Sequence, residues 1–453
     1  MVKNNFEKSH VQAELFPVKS KNIELSFTGE TLSSNGGLLL LRGVDTQLGL
    51  ISKIGACIKD KRDLRYIDHT VQELLTQRIF QISAGYEDGN DCSELRSDLA
   101  VKICAGRLPE SDKDLASQPT MSRLENMMTN RDLYNMGDEI VNHFIQSYAS
   151  APKMIILDCD DTNHNTHGEQ QLSLYNHYYR EHYYMPLHIY EGLSGKLITT
   201  ILKPGRRSKQ AHVGNLLKKL IGKLRAYWPN TFIIIRGDGH FASHTLMDWC
   251  NSESNVGFIT GLSGNKTLNK MAQITINGAE KEFKDREVLL VKRYHTFFYK
   301  AESWEHAQRV IVKVEVSTKG TNVRYIVTNI KGFRTRSLYE KGYCARGAME
   351  LRIKEHKLYL KSDRSSCSQF KANQFRLFLH SIAYILMHTM QKELFKGTEF
   401  ENATLKTIQN KIIKTAVWVK ELKTKVKIEL PKACPTKALQ LRSFQLLEHL
   451  QST

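Results

Sequence analysis

Two short, strongly apolar runs constrain this chain most. Residues 154–157 (MIIL) lead into Asp158, Cys159, Asp160 and Asp161, and residues 231–236 (TFIIIR) lead into Gly237, Asp238 and Gly239. Runs this short and rich in Ile read as strands buried on both faces rather than as helices. Each strand then delivers carboxylates at its C-terminal end. In open α/β sheets ligands gather at the carboxyl ends of the strands, so two such strands mark a site, provided they are neighbours.

The segments around them predict the rest of the sheet. Strands are expected at 184–190 and 196–202, joined by a turn containing Gly192 and Gly195, then a basic helix over 208–228, a short helix over 243–250 and a strand over 256–262. Three hairpin-like strands followed by alternating helices and strands predict a mixed α/β sheet. Residues 263–330 alternate apolar and polar positions, including Thr275 and Phe283, and read as a strand-rich antiparallel insertion.

Upstream, one strand is expected at 23–27, and residues 37–148 read as mainly helical. Residues 71–82 (VQELLTQRIFQI) carry apolar side chains at helical spacing, as do residues 124–148, where Ser122 and Glu125 form a capping-box pattern. Downstream, helices are expected over 337–359 and 370–395, then a segment of alternating Lys and apolar residues over 405–429 and a final helix over 443–451. The division is thus 1–150, mainly helical; 151–400, an α/β unit with its insertion at about 263–330; and 401–453, a basic C-terminal segment.

Charge follows this division. The chain carries 65 Lys and Arg against 47 Asp and Glu, a net +18. Residues 1–150 carry −4, 151–340 carry +10 and 341–453 carry +12. A positive excess confined to the last two thirds favours a polyanionic partner, because neutralising phosphates releases condensed counterions. No apolar run is long enough to span a bilayer, and the first residues lack the apolar core of a secretory signal. The eight Cys include no CxxC pair, which argues against a zinc ribbon or a disulfide framework and for a reducing cytoplasm.

Three constellations carry chemistry. Asp158 and Asp160, two apart on a strand, share a face and repel unless a cation lies between them; hard divalent ions such as Mg²⁺ take such ligands. Alternatively the segment is a polar turn. Asp238, in RGDGHF, ends the second strand. Tyr343, Arg346, Glu350 and Lys357 fall on one stripe of a helix at about 100° per residue. That stripe is either a solvated face laced with ion pairs or a carboxylate with three phosphate-binding partners. Carboxylates on three separate elements suit two-metal phosphoryl transfer. The absence of GxSxG, P-loop and HExxH motifs weighs against serine-hydrolase, NTPase and zinc-protease chemistry.

His164, His167, His177, His182 and His188 match no common zinc spacing and read as polar cleft lining or DNA contacts. The tyrosines between 175 and 184 either stack bases or pack. Trp304, in the insertion, either stacks on an unpaired base or packs in the core.

Taken together, these motifs resemble bacterial insertion-sequence transposases of the DDE type. The Tyr-x2-Arg-x3-Glu-x6-Lys pattern at 343–357 matches the signature of the family-4 group. LDCDDT, HGEQQ, NHYYREHYYMPL, RGDGHF, RYIVTN, RGAMELRIKEHK and SCSQFKANQFRLFLHSIAY resemble the insertion sequence 1380 family.

The resemblance runs over about residues 21–450 and implies an RNase H-like catalytic domain with a β insertion before the last acid. It implies two Mg²⁺ ions (or Mn²⁺) held by Asp160, Asp238 and Glu350, with Asp158 the alternative for the first acid. Tyr343, Arg346 and Lys357 would contact the terminal phosphates. It implies hydrolysis at the ends of the element and attack of the freed 3′-hydroxyl on target double-stranded DNA by a homodimer in the bacterial cytoplasm, at the nucleoid. The N-terminal region would bind DNA ends or make dimer contacts. Because it is net negative, end recognition is expected to draw on Lys209, Lys218, Lys219, Lys223 and Arg225 and on Lys411, Lys414, Lys420, Lys423, Lys425 and Lys427. The rival readings are a catalytically inactive DNA-binding relative and a nuclease of the same fold acting on RNA–DNA hybrids.

Overall fold

The computed structural model describes residues 13–14, 16–26, 29–176, 180–205, 210–286 and 288–451. Its centre is an eight-stranded mixed sheet. The strands are β1 (Met154–Asp161), β2 (Leu187–Glu191), β3 (Leu197–Ile201), β4 (Phe232–Gly237), β5 (Val256–Leu262), β6 (Leu290–Tyr299), β7 (Gln308–Ser317) and β8 (Gly320–Thr328). Their spatial order is β6-β7-β8-β5-β4-β1-β2-β3. β1, β4 and β5 run parallel, and the flanking strands pair antiparallel. The mixed α/β sheet read from the sequence is therefore present.

The two apolar runs are central strands because both of their faces are covered. Ile155, Leu157 and Cys159 enter one core with Leu217 and Leu224 of the Gln210–Tyr227 helix. Ile156 enters another with Ile234, Ile259, Leu338 and Tyr339. Each such buried side chain contributes about 1.5–3 kcal/mol. By strand alternation Asp158 and Asp160 share the face of Ile156. That is the face covered by the helical segment that begins at Leu338 and runs on to Glu350.

The insertion differs from expectation in its first third. Thr275 and Phe283 lie not in strands but in a helix, Lys266–Asp285. Asn265 caps it by accepting from the Leu268 amide at 2.8 Å, and Leu268, Ala272 and Ala279 recur on its buried face. The three strands that follow extend the central sheet through the antiparallel β8–β5 pair.

The N-terminal helices also break differently. Ser122 and Glu125 lie inside the Gln118–Met127 helix, which starts earlier because Pro119 favours a first turn. The capping box belongs instead to Thr129 and Asp132, which open the Asn130–Gln146 helix.

The basic C-terminal segment joins the core. Leu38, Phe80, Phe375, Ile382, Ile412 and Leu447 share one core, so residues 401–453 pack with the N-terminal helices and the Phe370–Thr389 helix. Strand Val417–Glu421 pairs with Leu32–Ser33. The contact requires Gly37, where a Cβ would stand 2.0 Å from the Ile412 carbonyl oxygen. None of the described helices is long and apolar enough to cross a membrane.

Candidate active site

The parallel register pairs Arg236 with Asp158 and Gly237 with Cys159. The next residues, Asp238 and Asp160, therefore emerge side by side where the two strands end. Asp158 stands apart from this pair. It is buried, and Arg236 engages both of its oxygens, Nε on Oδ1 and Nη2 on Oδ2 at 2.6 Å. Both of those oxygens are engaged by the guanidinium. Asp161 is likewise taken, by Lys203 at 2.7 Å.

Asp160 is left with weaker company. Arg346 Nη1 donates to its Oδ2 at 3.4 Å. Burial pushes its carboxyl up to about 7, Arg346 opposes that shift, and the neighbouring Asp238 and Asp161 carboxylates add to it. Asp238 accepts from the His240 amide at 2.9 Å and faces His240 Nδ1 at 3.1 Å. Tyr343 reaches the same place. A Cβ on Gly261 would lie 2.8 Å from the Tyr343 hydroxyl and 2.9 Å from the Gly239 nitrogen, so only glycine leaves room for both. Burial raises the Tyr343 phenol, with Arg346 opposing and Asp238 reinforcing.

The segment bearing Tyr343, Arg346, Glu350 and Lys357 is no straight α-helix. A π turn (Leu338–Tyr343), a tight 3₁₀ turn (Cys344–Arg346), an α-helix (Gly347–Lys354) and a second π turn (Glu355–Tyr359) follow one another. The even spacing of 100° assumed from the sequence is replaced by local over- and underwinding, a frequent feature of functional sites. Arg346 points at Asp160, and Glu350, four residues on, is exposed. Lys357 is half-buried and donates to Asn163 O at 2.5 Å and Oδ1 at 3.2 Å, which ties the second π turn to the chain just past β1. Burial lowers its ammonium pKa, with Asp363 opposing.

Tyr343, Arg346, Asp160 and Asp238 are thus brought together, while Glu350 stands one turn beyond. Among the described residues no group of three His, Cys, Asp or Glu side chains converges closely enough to hold a metal ion. The donor chemistry nonetheless fits a hard divalent cation. Two carboxylates meet at adjacent strand ends, and the charge of one is disfavoured by burial and by the other.

A family model described as Transposase DDE domain group 1 matches residues 15–452. The chain belongs to this family of DDE transposases. No curated protein matches it. A solved structure, the cryo-EM structure of piggyBac transposase synaptic complex with hairpin DNA, is 10% identical, with 84% of this chain and 79% of that chain covered at a TM-score of 0.45.

The remaining expected site residues of this transposase are scattered. Trp304 is 8% exposed and packs edge-on against Tyr299 at 5.4 Å; it also borders a cavity of about 950 Å³ with Trp249 and Lys218, which none of the three acids lines. Lys218 lies over the Trp249 ring at 5.5 Å, Lys219 is exposed, and Lys209 lies outside the described residues. Lys223 is held by Asp138, and Arg225 by the carbonyls of Pro229 and Thr231, so both have structural partners. Lys414 sits 3.5 Å over the Tyr86 ring. Lys411, Lys420, Lys423, Lys425 and Lys427 are exposed, the last four on or beside the hairpin of Val417–Glu421 and Val426–Glu429.

Two of the histidines also depart from expectation. His164 and His188 are wholly buried rather than lining a cleft, His167 and His182 are exposed, and His177 lies outside the described residues. Sequence reading missed the partners Arg236, Lys203 and Asn163. Only Arg236 carried a signal, as a charge inside an otherwise apolar strand.

Proposed function

We propose that this chain is the DNA transposase of an insertion sequence, of the insertion sequence 1380 kind, built on an RNase H-like catalytic sheet. It binds the terminal inverted repeats of double-stranded DNA, cleaves the ends by hydrolysis and transfers the 3′-hydroxyl ends to target DNA, as a homodimer at the bacterial nucleoid. The observation that carries this reading is the pairing of Asp160 with Asp238 at adjacent strand ends, with Arg346 leaning on Asp160 from the helix of Glu350.

Asp160, Asp238 and Glu350 are the catalytic acids that would hold two Mg²⁺ ions, with Mn²⁺ an acceptable substitute. When bound, those ions would supply activation of the attacking oxygen and charge stabilisation at the leaving one. The rest falls to the chain's own groups. Arg346 gives up its long contact with Asp160 to grip a phosphate, for which its planar fork is suited. Lys357 and Tyr343 flank it and orient the terminal phosphates. Lys218, Lys219 and the exposed lysines of the C-terminal hairpin neutralise the backbone of the bound ends.

The test is cleavage of a labelled duplex carrying the element's own terminal repeat, with Mg²⁺, against a scrambled end. Cutting at the true end alone supports a transposase. Cutting of both ends identifies a general nuclease. Specific binding without cutting identifies an inactive relative.

A further inference from the structure

A second cavity, of about 540 Å³, opens behind the helix that carries Glu350. It is enclosed by the Asn130–Gln146 helix, the turn between β2 and β3, the Gly347–Lys354 helix and the Phe370–Thr389 helix, and none of the proposed catalytic acids lines it. Phe144, Leu193, Leu197 and Ile385 give it apolar walls. Its volume lies within the range of about 300–1,000 Å³ usual for small-molecule sites.

The charged groups on those walls are mostly cationic. Lys196, Arg352 and Lys392 line the cavity, against one exposed carboxylate, Glu393. Two further acids nearby have partners of their own. Glu191 accepts from the amides of Leu193 and Ser194 at 3.1 and 2.6 Å, and Glu355 is paired with Arg352 at 3.2 Å without lining the cavity. Lys196 hydrogen-bonds to neutral groups, Ser147 O at 2.9 Å and Ser147 Oγ at 3.0 Å, and lies 4.5 Å from the Tyr148 ring, with the Glu393 and Glu191 carboxylates close enough to act on its charge. Lys392 donates to Glu401 O at 3.0 Å and Asn402 Oδ1 at 3.4 Å. His388, 5% exposed, also lines the cavity, and its Nε2 has no hydrogen-bond partner among the described residues.

An apolar chamber with three cations against one carboxylate on its walls is complementary to one chemistry. We infer that this cavity is a binding site for a small organic anion, an acidic head of carboxylate, sulfonate or phosphate type on an aromatic or aliphatic body. The head lies among Lys196, Arg352 and Lys392, and the body covers Leu193, Leu197 and Ile385.

The experiment is a fluorescence titration of the full chain with anilinonaphthalene sulfonate, followed by competition with decanoate, decanol and decyltrimethylammonium. The expected result is saturable one-site binding, displaced by decanoate at concentrations at least about tenfold lower than by decanol, and not displaced by the ammonium. The double variant Lys196→Met/Lys392→Met should weaken binding by about tenfold or more with an unchanged melting curve. Equal displacement by all three competitors, unsaturable binding, or unchanged affinity in a folded double variant would overturn the assignment. Should that variant melt early, the competition on the unaltered chain decides alone. The readout involves no DNA, so it stands or falls independently of the transposase reading.

Discussion

Arg236 and Asp158 form a buried two-point ion pair across neighbouring parallel strands, and the third nitrogen of the guanidinium, Nη1, donates to the Gly342 carbonyl at 2.7 Å. One side chain thereby joins two central strands to the residue preceding Tyr343. It also sets Asp158 apart from Asp160, two residues on. Asp158 is neutralised in place, and Asp160 is left facing Asp238.

Removing the cation should therefore be costly. Arg236→Met leaves a buried carboxylate without its partner and should destabilise the chain by about 3–5 kcal/mol. Arg236→Met/Asp158→Leu removes both charges and should recover most of that loss. Urea denaturation of both variants checks this. A single variant as stable as the parent would mean that the pair has no structural role.

Arg346 should matter to chemistry more than to folding. Its contact with Asp160 is long, at 3.4 Å, and the guanidinium is partly exposed. Arg346→Ala should slow end cleavage by roughly tenfold to a hundredfold, the range of a charged hydrogen bond worth about 1.5–3 kcal/mol. Its melting temperature should stay close to that of the parent. Cleavage kinetics beside a thermal melt separate the two effects, and a large drop in stability with normal cleavage per folded molecule would contradict the assignment.

Trp304 should behave as a core residue. Trp304→Ala should cost about 3–5 kcal/mol of stability, while Trp304→Phe, which keeps the contact with Tyr299, should cost less. Retained stability in Trp304→Ala with a selective loss of DNA cleavage would restore base stacking as its role.

Acid should unfold the chain early. Burial holds His143 at about 4 and His388 at about 3, with nearby Lys and Arg side chains adding to the effect. The unfolded chain takes up protons at these positions near pH 6.5, and the folded chain does so only near 3–4. Their contribution is complete above pH 6.5 and is lost as the pH falls from there toward 4, by up to about 1.4 kcal/mol per pH unit for each residue. Urea midpoints at pH 7.5, 6 and 5 measure the slope, and His388→Leu should flatten it. A midpoint independent of pH over this interval would contradict the burial of these rings as neutral groups.

The strands that carry the acids were legible because a run of Ile and Leu with no polar face has few other places to go. The choice between Asp158 and Asp160 was not legible, since both share a face. What distinguishes them in the fold is which one meets Arg236, a partner 78 residues away whose register only the folded sheet fixes. Thr275 and Phe283 misled for a different reason. Isolated apolar positions fit a strand as well as a helix, and the Asn265 cap with Leu268, Ala272 and Ala279 on one face decides for the helix. The stripe from Tyr343 to Lys357 was read with one period throughout, which no sequence pattern corrects where π and 3₁₀ turns interrupt the helix. The place of the basic C-terminal segment in the N-terminal core was not legible, because the pairing of Val417 with Ser33 spans nearly the whole chain.

The central claim is that Asp160, Asp238 and Glu350 perform the cleavage together. The most direct measurement compares Asp160→Asn, Asp238→Asn and Glu350→Gln with the parent for binding and for Mg²⁺-dependent cutting of a labelled terminal repeat. All three should bind the end with near-parental affinity and cut it at least about a thousandfold more slowly, a loss of about 4 kcal/mol of transition-state stabilisation. Cutting by Glu350→Gln at the parental rate would contradict the account, because it would remove the helix behind Arg346 from the chemistry.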